Sequence, residues 1–310
     1  MSKILVTGSK GTLGTPLVQE LRRRGHEVWG SDLQHQADDQ YVRADMAHYR
    51  QLERVFEQKF DYVYHLAAEF GRINGEEYYD TLWRTNVIGT RNILELQKLK
   101  GFKLIFASSS EIYGDIERDV LTEDLSIKEP LVQQNDYAVT KWVNEIQCMN
   151  FEKRYDLPIV RLRFFNAYGP GELYHHYRSV VCLFCYRALH DMPYTIYKSY
   201  HRVFMYIDDF IPTLASVCDR FQAGSVYNIG GREYRSVEDL SNVILGYLSL
   251  DDRLVTYLPQ DQHNVQNKSP DISRAEKAFG HDPRVTLEEG VPRTIEWMRK
   301  VYAGTVKHPG

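Results

Sequence analysis

Tyr137 and Lys141 stand four residues apart in Asp136-Tyr137-Ala138-Val139-Thr140-Lys141-Trp142-Val143-Asn144-Glu145, a run that predicts a helix beginning near Asp136. That spacing puts the two side chains on one helix face. A lysine ammonium beside a tyrosine favours the phenolate and lowers its pKa. The pair therefore reads as a base that takes a proton from a hydroxyl near neutral pH while a hydride leaves the same carbon. An ordinary helix surface carries such pairs too, and here the neighbouring sequence gives the pair its meaning. Lys103-Leu104-Ile105-Phe106-Ala107 predicts a buried strand that empties into Ser108-Ser109-Ser110. Ser109 would hydrogen-bond the reacting hydroxyl and the carbonyl oxygen that forms from it.

A hydride needs an acceptor, and the start of the chain is built for one. Ile4-Leu5-Val6 predicts a buried strand, followed by Gly8, Gly11 and Gly14 and then by an amphipathic helix with Leu13, Leu17, Val18 and Leu21. Strand, glycine turn and helix form the front half of a dinucleotide-binding βαβ unit, with Thr12 and Leu13 inside the turn. Gly8 takes the tight turn, Gly11 admits a pyrophosphate, and Gly14 lets the helix pack on the sheet. Phosphates would sit at the helix N-terminus, where free N–H groups and the dipole favour anions. Glu27-Val28-Trp29-Gly30-Ser31-Asp32 ends a second strand on an acid at the offset of a ribose-binding carboxylate. Asp32 there favours NAD over NADP, whose extra phosphate it would repel.

The elements that must carry these groups continue in alternation. Tyr41–Asp45 predicts a third strand, with Asp45 and Met46 at the adenine end. Asp61-Tyr62-Val63-Tyr64-His65-Leu66-Ala67-Ala68 predicts a fourth, whose Leu66, Ala67 and Ala68 leave room for the cofactor. A helix from about Tyr78 to Lys98 contains Asn86, and Pro158–Phe164 is a further strand. This order implies an α/β fold with a doubly wound parallel sheet and ligands at the C-terminal ends of its strands. Turn residues in Asn166-Ala167-Tyr168-Gly169-Pro170-Gly171 break the pattern. The expected division is a cofactor domain of 1–165 plus about 203–229, and a smaller substrate-binding α/β region of about 166–202 and 230–310. Residues past Gly304 are expected to be loose.

Composition narrows the class. The chain has 310 residues, with 38 Lys plus Arg against 42 Asp plus Glu, a formal charge of −4. That balance argues against a nucleic-acid surface. No apolar run is long enough for a bilayer, and no leader precedes the first strand, so no membrane and a cytoplasmic location are expected. Four cysteines are too few for a disulfide framework. Cys182 and Cys185 have a metal-pair spacing but lie in an apolar helical run, and no metal is expected there or at His175-His176.

Taken in order, Thr7–Gly14, His65-Leu66-Ala67-Ala68, Asn86, Ser108–Gly114, Tyr137 with Lys141, and Arg163-Phe164-Phe165-Asn166-Ala167-Tyr168-Gly169-Pro170 resemble the extended short-chain dehydrogenase/reductases. These are the NAD-dependent nucleotide-sugar epimerases, dehydratases and decarboxylases, and the similarity runs from residue 1 to about 300. The resemblance implies a Rossmann-like fold and a tightly held NAD⁺ that oxidises the sugar, usually at C4, and later returns the hydride. It implies cofactor contacts from Asn86, Ser108 and Lys141, the last on the nicotinamide ribose. Substrate contacts follow for Ser110 and Asn166, Arg202 is expected on the diphosphate, and Arg178 on the sugar or a uronate carboxylate. Family members usually dimerise through the helices near 78–98 and 136–154, where Trp142, Val143 and Ile146 serve the contact or the core.

Ser109-Ser110-Glu111 discriminates among reactions. The 4,6-dehydratases carry Thr-Asp-Glu, whose aspartate Ser110 cannot replace, so simple dehydration is disfavoured. UDP-glucuronate decarboxylases carry Thr-Ser-Glu, while 4-epimerases need only the first hydroxyl and the Tyr–Lys pair. Two departures stand out: Ser9-Lys10 replaces a small Gly-Ala pair, and no arginine precedes Pro270, with Lys268 as the candidate substitute. The leading expectation is a 4-epimerase of a UDP-hexose or UDP-hexuronate. The alternative is a decarboxylase or C5-acting enzyme in which Glu111 is catalytic, and the third reading is a non-catalytic NAD-binding protein.

Overall fold

The first strand, β1 (Lys3–Thr7), is entirely apolar at its centre and leads into the glycine turn and helix α1 (Gly14–Arg23). Gly8 has φ +70°, and a Cβ on Gly14 would fall 2.0 Å from the Gly8 carbonyl oxygen, so turn and helix close only with glycine there. The computed structural model describes residues 1–114, 116, 118–259 and 267–304; the expected loose tail past Gly304 lies outside them from residue 305 on.

Alternation then builds a sheet. It runs through β2 (Glu27–Asp32), β3 (Tyr41–Arg43), α2 (Tyr49–Val55), β4 (Tyr62–His65), α3 (Arg72–Glu77), α4 (Tyr79–Trp83), α5 (Gly89–Lys100) and β5 (Lys103–Ser109). Next come α6 (Leu125–Lys128), α7 (Asp136–Tyr155) and β6 (Ile159–Phe164). The expected helix over 78–98 is not continuous: a π turn (Arg84–Ile88) separates α4 from α5. Past β6 the chain forms β7 (Ala167–Tyr168), α8 (Val180–Leu189), β8 (Tyr194–Tyr197), β9 (His201–Val203), β10 (Met205–Tyr206) and α9 (Ile207–Asp219). It ends with β11 (Val226–Ile229), β12 (Tyr234–Ser236), α10 (Val237–Leu248), β13 (Val255–Leu258), β14 (Asn267–Lys268), α11 (Ser273–Phe279) and α12 (Leu287–Val301).

The central sheet has seven strands in the order β3-β2-β1-β4-β5-β6-β11, all parallel. The order reverses direction at β1, and a doubly wound sheet opens its ligand crevice at such a point. Both faces are buried, as a parallel sheet requires. Ile4, Val6, Tyr64, Ile105, Val160 and Leu162 face one core, while Leu5, Val63, Leu104 and Ile159 face the other, in the period of two that a strand imposes. Among the described residues three small sheets lie outside it: β12-β9-β14, β13-β8 and β10-β7. Cys182 and Cys185 are buried in α8, and all four cysteines are free. Among the described residues no helix is long and apolar enough to cross a membrane.

Candidate active site

A cavity of about 560 Å³ opens over the C-terminal ends of β1, β4, β5 and β6. The glycine turn lines one end, with Gly8, Gly11, Thr12, Leu13 and Gly14 on its wall. No side chain caps the start of α1 and no acid lies in its first turn; the Thr15 N–H bonds the Gly11 carbonyl (3.1 Å) and Pro16 has none, which leaves the Leu13 and Gly14 N–H groups to an anion. Asp32, Asp45 and Met46 line the cavity beyond the turn, and Leu66, Ala67 and Ala68 line its floor. The Asp32 carboxylate is oriented by the N–H groups of Lys10 (2.9 Å) and Leu33 (2.7 Å). Uncapped helix amides, small residues and a fixed acid are the donor and acceptor set of a dinucleotide, and they fit NAD.

The floor is held from below by His65. Thr7 Oγ1 lies 2.8 Å from its Nδ1 and Thr90 Oγ1 3.2 Å from its Nε2. Burial, aided by the charge of Lys141, drops the imidazole to about 3, so it stays neutral.

At the other end of the cavity stand Ser108, Ser109, Ser110, Glu111, Tyr137 and Lys141. Ser109 ends β5, and its hydroxyl accepts from the Glu111 N–H at 3.2 Å, which starts the 3₁₀ turn Ser110–Tyr113. Asn135 caps α7 by accepting from the Ala138 N–H at 2.9 Å, and that fixes Tyr137 in the first turn. The Lys141 ammonium donates to the Ala107 carbonyl at 2.9 Å and lies 5.9 Å from the Tyr137 ring centroid.

One expectation fails here. Tyr137 is not lowered by its lysine. Burial pushes the phenol up to about 12, a hydrogen bond with Ser109 pulls the other way, and the Glu111 charge adds to the rise. Desolvation outweighs an ammonium directed at a backbone carbonyl. Lys141 itself is pushed down to about 8 by burial, opposed by Glu145.

Glu111 is a carboxylate. Burial works against its charge, but Lys268, Arg202 and an Asn135 hydrogen bond together hold its pKa below the ordinary value. Lys268 is 1% exposed and ion-paired with Glu111. It sits on β14 in register with Arg202 on β9, which brings two cations to one acid.

Asn166, with φ +32°, lines the cavity and donates to the Val203 carbonyl at 3.2 Å. Arg178 lines it as well, its guanidinium 4.7 Å from the Phe70 ring centroid and its buried Nε without a hydrogen-bond partner. Asn86 and Arg202 do not line it. Asn86 is buried in the π turn, where its amide accepts from the Glu69 N–H (2.8 Å) and donates to the Glu69 carbonyl (3.0 Å) and Thr140 (3.1 Å). Arg202 is buried behind Glu111, with its charge on the acid. The Ser108 hydroxyl likewise points away from the cavity, donating to Glu145.

Sequence reading passed over Glu145, which lies four residues past Lys141 on the same face of α7, a spacing that could have marked it. It also missed Glu172, which lines the cavity and accepts from the Ser179 N–H (2.9 Å) and hydroxyl (2.7 Å). No periodicity marks a loop acid.

The model of the NAD dependent epimerase/dehydratase family matches residues 4–230. The chain is 27% identical to the UDP-N-acetyl-alpha-D-glucosaminuronate decarboxylase of Bacillus cytotoxicus, over 96% of this chain and 98% of that protein. It is 29% identical to UDP-glucuronic acid decarboxylase 1 of Danio rerio, over 96% of this chain and 73% of that protein. Among solved structures, UDP-glucuronic acid 4-epimerase from Bacillus cereus, in complex with UDP-glucuronic acid and NAD, superposes with a TM-score of 0.85. It shares 26% identity and covers 97% of this chain and 100% of that one.

Proposed function

The chain belongs to the NAD dependent epimerase/dehydratase family, and from that premise we propose that it decarboxylates a UDP-hexuronate by way of a 4-keto sugar. NAD is the cofactor. The observation that carries the reading is the Glu111 carboxylate, which lines the same cavity as Tyr137 with the buried Lys268 ammonium paired to it. A 4-epimerase needs a base, a hydroxyl partner and a lysine. Ser109, Tyr137 and Lys141 meet that need and leave the Glu111–Lys268 pair without work. The kinship with two decarboxylases of UDP-hexuronates supports the same assignment.

Tyr137, hydrogen-bonded to Ser109, takes the proton of the C4 hydroxyl, and the Lys141 ammonium holds positive charge beside it. Bound NAD⁺ supplies the hydride acceptor at C4 and afterwards the donor, and its pyridinium charge favours the phenolate. A carbonyl at C4 makes the substrate a β-keto acid. The C5–C6 bond breaks, C6 leaves as carbon dioxide, and the electron pair stays as the C4–C5 enolate. Ser109 and the Tyr137 hydroxyl donate to the enolate oxygen. A proton must then reach C5, and Glu111, which lines the cavity, relays it there from the buried Lys268 ammonium paired to it. Arg178, with its unpartnered Nε, receives the uronate carboxylate. The product is a UDP-pentose.

Replacing Glu111 tests the assignment. Glu111→Gln is expected to cut product formation roughly 10² to 10⁴-fold, while C4 oxidation, followed as NADH absorbance, continues. Full activity with an unchanged sugar mass would instead favour the second reading, a UDP-hexuronate 4-epimerase, which the sufficiency of Ser109, Tyr137 and Lys141 and the likeness to a UDP-glucuronic acid 4-epimerase support. The same reading carries a homodimer built on α7, whose Ile146 is exposed, with sedimentation velocity as its check.

A further inference from the structure

Lys141 is a cation in a place that disfavours cations. It is 5% exposed, and its ammonium donates to the Ala107 carbonyl beneath the cavity at 2.9 Å. The groups that face it are few. Tyr137 lies one turn back on α7 and Glu145 one turn on. His65 on β4 is neutral, and β5 presents Phe106 and the Ala107 carbonyl.

Glu145 is fully buried, and its surroundings are built to keep it ionised. Arg163 on β6 grips it with two bonds, Nε at 2.9 Å and a terminal nitrogen at 2.8 Å. Ser108, the residue next to Ala107, donates to its other face. Arg163 is fixed in turn by the Tyr113 hydroxyl (2.8 Å), the Glu123 carbonyl (2.9 Å) and Ser126 (2.7 Å). Arg161 on β6 also bears on the carboxylate, Glu152 is an acid further along α7, and burial pushes the nearby Cys148 thiol up so that it stays neutral.

We propose that Glu145 is the buried counter-ion of Lys141, a positioning residue that keeps the ammonium charged and seated at the hydride-transfer centre through the Ser108–Ala107 step. A hydrophobic pair would hold α7 against β6 as well as the Glu145–Arg163 pair does, since buried ion pairs add little net stability. What a hydrophobic pair could not do is oppose the desolvation of Lys141. Burial disfavours the charge on Lys141, and Glu145 opposes that loss. The inference rests on the reading of Lys141 as the cation of the oxidation step, which decarboxylation and epimerisation share.

The test is direct titration of Lys141 in the NAD-bound protein labelled with [¹⁵N]lysine, its Nζ resonance identified by its loss in Lys141→Met. Glu145→Gln should lower the midpoint by about one pH unit or more. Arg163→Lys disrupts the same fork but keeps its charge, and should leave the midpoint within a few tenths. If Glu145→Gln does not fold, the double variant Glu145→Gln/Arg163→Gln leaves neither member of that ion pair without its partner and should lower the midpoint in the same direction. An unmoved midpoint in the Gln variants, or an equal shift in Arg163→Lys, would overturn the proposal and leave Glu145 a structural residue. Activity of Lys141→Met reports separately on the reading beneath: an active variant would remove Lys141 from the chemistry whatever the titration shows.

Discussion

Asp32 and Glu111 are both acids of one cavity, and their surroundings set them to different tasks. Asp32 accepts from the backbone N–H groups of Lys10, Leu33 and Gln34 and faces the space beside the glycine turn, where a ribose hydroxyl would meet it. A 2′-phosphate there would meet a like charge a few ångströms away, worth ~1–4 kcal/mol. Asp32→Ala should therefore narrow the preference for NAD over NADP by about tenfold or more, read as the ratio of the two dissociation constants by fluorescence titration. An unchanged ratio would move the ribose contact elsewhere. Glu111 is instead clamped by Lys268 and Asn135. Sequence marked Ser109, Tyr137 and Lys141 through type and spacing and Glu111 through the family resemblance, and the structure brings all four to one end of the cavity. What spacing could not show is desolvation: the same helix face that pairs Tyr137 with Lys141 buries the lysine and half-buries the tyrosine at the cavity wall, and desolvation wins over the pairing.

The elements show where periodicity runs out. Spacing of Val87, Ile93, Leu94 and Leu96 predicts a single long helix, and the chain does follow that face. The π turn at Arg84–Ile88 is invisible to such counting because it shifts register by one residue without changing composition. Its consequence is that Asn86 turns inward and ties the Glu69 backbone to Thr140 of α7. Asn86 thus acts on the cavity wall through Glu69 rather than by touching what the cavity holds. Asn86→Ala removes the side-chain partner of the part-buried Glu69 amide and carbonyl, at about 1 kcal/mol for each hydrogen bond lost. Expected are a lower Tm and a weaker hold on NAD with the NAD/NADP ratio unchanged. Calorimetry with both cofactors checks this, and an unaltered Tm would show the tie to be idle.

At the scale of the molecule, the order of strands was legible and the small sheets were not. Strands of the central sheet alternating with helices, with β2 alone running to the sheet's next strand without one, suffice for a parallel doubly wound sheet. Strands of two to four residues such as β9, β12 and β14 carry no period to read, and they take their pairing from the large sheet's surroundings. Arg202 and Lys268 meet only through that pairing, so their joint action on Glu111 could not be foreseen from either motif. The fold also carries an acid sensitivity at its centre. His65 is buried with a pKa of about 3 against 6.5 for the free side chain. Between those values the unfolded chain binds a proton that the folded one refuses. Stability is therefore full above pH 6.5 and falls as the pH drops toward 3, by up to about 1.4 kcal/mol per unit from this residue. His65→Asn should flatten the loss of denaturation midpoint between pH 7 and 5, and an equally steep loss would place the sensitivity elsewhere.

The central claim is that a UDP-hexuronate leaves this cavity one carbon shorter. UDP-glucuronate labelled with ¹³C at C6, incubated with the purified protein and NAD, settles it by ¹³C NMR and mass spectrometry of the same sample. The account predicts label appearing as carbon dioxide and bicarbonate, together with an unlabelled UDP-pentose. Label retained in a UDP-hexuronate of unchanged mass but inverted at C4 would contradict it, and would make Glu111 a bystander to epimerisation.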